Sequence, residues 1–227
     1  PELLKAYNLL QGISDVHWKE LKSEELTAII FATSGLHLEA FTQTAYTNPG
    51  QEVEVNVQAL NRSNIDIKLK SVFINDQKVA IDNEALKNNN LVTKKVDLNI
   101  PSATDYTSPY WLIEKGTLGT YKVSNTDLIG KPETPRAFYA KFLVNINGTL
   151  IPITRPVVYK YAKPDKGEIY QPFEIVPEAT ASFADKVLIF ADASSKKVPV
   201  TIKAHQDSIS GTIALEYGKG WKLDTDT

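Results

Sequence analysis

Apolar and polar positions follow two different rhythms along this chain, and the change comes near His37. Before it, Leu3, Leu4, Tyr7 and Leu10 recur at spacings of three and four and Gly12 follows as a stop, which predicts a short amphipathic helix. A second helix is expected from Ser14-Asp15, both good N-caps, to Gly35, a good residue just past a C-terminus. Trp18, Leu21, Leu26, Ile29 and Ile30 form its apolar side, while Lys19, Glu20, Lys22, Glu24 and Glu25 face water. Residues 1–36 therefore read as a helical lead segment. Its apolar stripes need a partner, and docking on the following β region through Leu21, Leu26, Ile29 and Ile30 is expected.

After His37 the period falls to two. Val53, Val55, Val57 and Ala59 alternate with Glu52, Glu54, Asn56 and Gln58, behind the turn Asn48-Pro49-Gly50. Ile65, Ile67 and Leu69 alternate with Asp66, Lys68 and Lys70, and Val96, Leu98 and Ile100 repeat the pattern beyond a polar loop at 82–90. Phe138, Ala140, Phe142, Val144 and Ile146 lead into Asn147-Gly148, a dipeptide suited to a type I′ hairpin turn because both central residues need positive φ. Val157, Tyr159 and Tyr161 precede a breaker at 162–167, where a domain boundary is expected. Short strands are then expected at Phe173–Val176, Val187–Phe190, Val198–Ala204 and Gly211–Tyr217. The predicted fold is mostly β: tandem Ig-like β-sandwich domains behind a short N-terminal helical segment. Its parts are 1–36, a first sandwich at 37–164, a linker at 165–171, and a second, incomplete sandwich at 172–227.

Composition narrows function by exclusion. Among 227 residues, 25 Lys+Arg and 27 Asp+Glu give a net charge of −2, with no basic stripe to neutralise phosphates, so no nucleic-acid partner is expected. No apolar run approaches the roughly 20 residues of a membrane span. Zero cysteines exclude disulfides, thiol catalysis and Cys-ligated zinc. His17, His37 and His205 are scattered without ligand spacing, and no nucleophile elbow or phosphate loop occurs, so no catalytic residue, metal ligand or cofactor is assigned to this chain.

The candidate contact residues are Tyr106, Tyr110, Trp111 and Tyr121, whose rings among Ser, Thr and Asp suit stacking on apolar sugar faces. The competing reading places Trp111 in a core or domain interface. Loop carboxylates Glu114, Asp127, Glu133 and Glu168 leave open a glycosidase that uses two of them. Asn61-Arg62-Ser63 and Asn147-Gly148-Thr149 match the glycosylation acceptor pattern by coincidence.

One ordered set of segments goes further. Leu38-Glu39-Ala40, Asn61-Arg62-Ser63, Pro109-Tyr110-Trp111-Leu112, Gly119-Thr120-Tyr121-Lys122-Val123 and the run Asp127 to Pro135 come first. Arg155-Pro156-Val157-Val158-Tyr159-Lys160-Tyr161 and Gly167-Glu168-Ile169-Tyr170-Gln171-Pro172 follow. Over residues 3–176 the chain resembles the region downstream of the catalytic domain in Bacteroidetes-type PIG-L (LmbE-like) N-acetylglucosaminyl deacetylases. Residues 177–227 resemble the Ig-like domain associated with bacterial α-galactosidases. PIG-L enzymes hold zinc with an His-Pro-Asp-Asp segment and a later His-x-x-His, and neither motif occurs in this sequence. The resemblance thus implies a non-catalytic accessory region, a scaffold or glycan-presenting module, of an exported deacetylase. Its catalytic domain and zinc would lie N-terminal to Pro1, with that domain as partner and glycans as a second class of partner.

Overall fold

The computed structural model describes residues 1–224. Two helices, α1 (Glu2–Leu10) and α2 (Val16–Thr33), lead into a mostly β chain. The strands are β1 (Leu36–Thr42), β2 (Tyr46–Thr47), β3 (Glu52–Asn61), β4 (Ile67–Ile74), β5 (Gln77–Lys78), β6 (Glu84–Ala85) and β7 (Val92–Asn99). Then come β8 (Glu114–Thr117), β9 (Thr120–Lys122), β10 (Tyr139–Ile146), β11 (Thr149–Lys163), β12 (Gly167–Pro172), β13 (Glu174–Ile175), β14 (Ala179–Phe183) and β15 (Val200–Ala204). The chain divides into two compact units, Pro1–Ile175 and Val176–Thr227.

In the first unit, the order β5-β4-β10-β11-β1-β3-β7, with β12 beside β11 and β6 beside β4, forms a nearly closed sheet. The long strand β11 organises it. Thr149 to Pro156 pair with β10, Val157 to Tyr159 pair in parallel with Ala40 to Thr42 of β1, and Val158 to Lys163 pair with β12. The change of partner falls at Pro156, a residue with no N–H to offer a ladder. Asn147 and Gly148 take the positive φ values of 47° and 90° that the hairpin turn into β11 requires. Alternate residues of β1, β3, β4, β10 and β11 point into one apolar core, among them Leu38, Val55, Val57, Leu69, Phe142, Val144 and Ile151.

The lead helices form as expected but dock differently. Asp15 caps α2 by accepting the Trp18 N–H at 3.1 Å, and Gly35 closes it with φ 66°. Ile30 is buried, Leu26 and Phe31 pack against the core, and Tyr7 is buried from α1, but Leu21 and Ile29 stay exposed. At about 100° per residue, the inward face of α2 runs through Ser23, Leu26, Thr27 and Ile30. Half of that stripe is small and polar, which hides its period in the sequence.

Two further expectations are corrected. Residues 165–171 are not a linker: a tight turn at 164–166 and Gly167 at φ 72° return the chain as β12, paired along β11, and the division between units comes after Ile175. In the second unit, neither Val187–Phe190 nor Gly211–Tyr217 forms a strand, whereas β14, which was not expected, pairs with β15. A strand needs a neighbour as well as a pattern, and those two runs find none among the described residues.

Candidate functional site

Between β7 and β10 the chain leaves the sheet for a long excursion that carries all four candidate aromatics. Its base is fixed at Thr107, whose N–H donates to the Ile175 carbonyl at 2.9 Å. The Ile175 N–H donates back to Thr107 Oγ1 at 3.1 Å. A 3-10 turn at Tyr110–Leu112 follows. Tyr110 is held twice: its N–H donates to Thr134 Oγ1 at 3.0 Å, and its hydroxyl donates to the Lys131 carbonyl at 3.0 Å. Trp111, half-buried, stands edge-on to Tyr110, with centroids 4.9 Å apart and planes 87° apart. The structure therefore brings Tyr110 and Trp111 into ring contact. Tyr121, on β9, and Tyr106, before the anchor, are both exposed.

The turn packs beside the β8–β9 hairpin, whose tip exposes Leu118 completely. Gly116 is required there, since a Cβ on it would lie 2.3 Å from the Thr120 carbonyl oxygen. Glu114 braces the hairpin, accepting the Ser124 N–H at 2.8 Å and pairing with Lys122 at 2.9 Å. The Ser124 contacts and then Lys122 hold its carboxyl down to about 2.

A second polar cluster lies across β1, β11 and β12, and reading the sequence did not single it out. Glu39 and Lys160 pair at 2.9 Å with only 11% and 14% of their side chains exposed. Tyr170 donates its hydroxyl to Glu39 at 2.7 Å and is also 2.8 Å from Glu168, while Lys160 reaches Glu168 at 3.2 Å. His37 Nε2 stands 3.5 Å from Glu39. The Lys160 ammonium lies 4.5 Å from the centre of the Phe41 ring. Burial pushes the Glu39 carboxyl upward, but hydrogen bonds from Lys160 and Tyr170 outweigh it and leave it below the usual carboxylate value. Tyr170 and then Lys160 hold Glu168 low as well. Burial, and then the two carboxylates, raise Tyr170. Burial lowers Lys160, and the same carboxylates more than reverse that.

Every charge in this cluster is answered, so it clamps three strands together. Both carboxylates of this cluster are held below the usual carboxylate value by the ammonium and the phenol that they share. Glu114 is likewise ionised. Glu133 is paired with Arg136, and Asp127 sits in the short 3-10 turn capped by Asn125. Among the described residues no three His, Asp or Glu side chains converge as a metal site. The only sequence cue to the clamp was Glu39 standing inside the apolar run Leu38 to Phe41; its partners are more than a hundred residues away.

No family model matches this sequence, and no curated protein matches it. Among solved structures, a similarity is found to the Pseudomonas fluorescens alkylpurine DNA glycosylase AlkC bound to DNA containing an abasic site analog. It has 10% identity and a TM-score of 0.26, and covers 66% of this chain and 41% of that one. A likeness of that size carries no argument about fold or function.

Proposed function

We propose that this chain is a non-catalytic accessory region of an exported PIG-L-like glycan deacetylase, serving as scaffold or glycan-presenting module beside its own upstream catalytic domain. The observation that carries this reading is how the family-like segments gather. Leu38-Glu39-Ala40, Arg155 to Tyr161 and Gly167 to Pro172 build the three-strand clamp. Pro109 to Leu112, Gly119 to Val123 and Asp127 to Pro135 build the aromatic excursion, tied together by Tyr110 to Lys131 and Thr134. Segments that resemble one family in order thus share two structural tasks. In the same reading the first unit is an Ig-like sandwich, supported by the partner change along β11, and the second unit is part of another. Deleting this region from a full-length enzyme is expected to impair its activity or its export; a deletion that leaves both normal overturns the proposal.

The second reading, a carbohydrate-binding module centred on Trp111, is favoured by the half-exposed Tyr110–Trp111 corner in a polar loop. A glycan array with the native chain and Trp111→Ala tests it. Glycan binding that falls at least tenfold in the variant supports this reading, and no binding by the native chain removes it.

A further inference from the structure

The turn that joins β10 to β11 carries the one Asn-Gly step in the sequence, Asn147-Gly148. Such a step has a chemistry of its own. The backbone nitrogen of the second residue can attack the side-chain carboxamide of the first, and glycine, lacking a side chain, hinders that approach least. Both residues are exposed, and nothing but chain neighbours stands within 4 Å of where a Cβ on Gly148 would lie, so water reaches the turn. Asn75, Asn83 and Asn89 share the positive φ of Asn147, but Asp76, Glu84 and Asn90 follow them. Against this exposure stands one contact: the Gly148 N–H donates to Asn145 Oδ1 at 2.9 Å. The Asn147 N–H donates to the Asp66 carbonyl at 3.0 Å and pins the turn on its other side.

We propose that Asn147 is a site of spontaneous deamidation whose rate the Asn145 side chain holds down. In the reaction the Gly148 nitrogen gives its proton to hydroxide and bonds to Asn147 Cγ. The carboxamide C–N bond breaks, and its nitrogen takes a proton from water and leaves as ammonia. Water then opens the resulting succinimide at either carbonyl, which leaves aspartate or isoaspartate at 147. A nitrogen whose N–H is engaged gives up its proton less readily, and that bond must break before the nitrogen can move onto Cγ. The products matter to the fold, because this turn sets the register of Ile146 with Thr149 and of Asn145 with Leu150. Isoaspartate adds a methylene to the main chain of a two-residue turn. Either product places a new carboxylate beside Asp66, where like charges repel.

The test is incubation of the full 227-residue chain at mildly alkaline pH, folded and in urea. Chromatography and mass analysis of the tryptic peptide 142–160 then follow aspartate and isoaspartate at 147. Asn145→Ala removes the acceptor, Asn145→Asp keeps one, and Val144→Ala loosens the same strand without touching the contact. Conversion in the folded native chain is expected to be at least tenfold slower than in urea. Asn145→Ala should speed the folded reaction at least threefold, while Asn145→Asp and Val144→Ala stay near the native rate. No conversion at 147 in urea overturns the proposal, as do equal rates folded and unfolded. It also fails if Asn145→Ala is as slow as the native chain, or if Asn145→Asp is as fast as Asn145→Ala. An equal acceleration in Val144→Ala would trace the effect to general loosening of the hairpin and overturns it too.

Discussion

Asn61 shows how much one side chain can be asked to hold. It ends β3 with 1% of its surface exposed, and its amide donates to the carbonyls of Ile65 and Leu86, both at 3.0 Å. Its oxygen accepts the Ser63 N–H at 2.9 Å and the Ser63 hydroxyl at 2.8 Å. The residue joins the end of one strand, the turn into the next and the loop bearing buried Leu86. The glycosylation-like pattern at 61–63 is therefore a structural turn, its amide nitrogen already committed to two carbonyls. Asn61→Ala is expected to cost about 3 kcal/mol, because two carbonyls and a buried N–H lose partners together. In a unit of this size that lowers Tm by roughly 6–12 °C, which differential scanning calorimetry will show.

Among the elements, the clamp across β1, β11 and β12 sets a pH window. Glu39 and Glu168 lie below their ordinary value of 4.5, so the stability they contribute is complete above it and is lost as pH falls through their folded values. Lys160 and Tyr170 lie above 10.5 and 10.0, so their share holds below those values and is lost as pH rises through the folded ones. Glu39→Gln should cost about 2 kcal/mol at neutral pH, with the gap to the native chain narrowing as pH falls through the lowered value of the native carboxyl. Urea melts at several pH values measure this, and a constant gap would contradict it. Strands with one buried face were legible in the sequence: β3, β4 and the β10–β11 hairpin announce themselves by alternation and by Asn147-Gly148. The clamp was not, because pairing β1 with β11 is a property of topology. Of the candidate site, the contact between Tyr110 and Trp111 follows from adjacency, while the scaffold beneath them, Thr107 on Ile175, joins residues 68 apart.

On the scale of the whole molecule, stability is unevenly distributed. Every side chain of the apolar core belongs to the first unit. A chain ending at Val176 is therefore expected to keep the main thermal transition within about 2 °C of the full-length value, since a few degrees correspond to about 1 kcal/mol in a unit this large. A larger fall would mean that the second unit supports the first. The parallel pairing of Ala40 to Thr42 with Val157 to Tyr159 has a consequence in time. As the chain leaves the ribosome, β1 can pair with β3 almost at once, but its other edge stays open until more than a hundred further residues have been made. Contacts so distant in sequence close slowly, because loop entropy is spent before they form. For seconds during synthesis, at roughly 5–20 residues per second, the nascent protein carries a naked strand edge, and chaperone contact is expected to concentrate there.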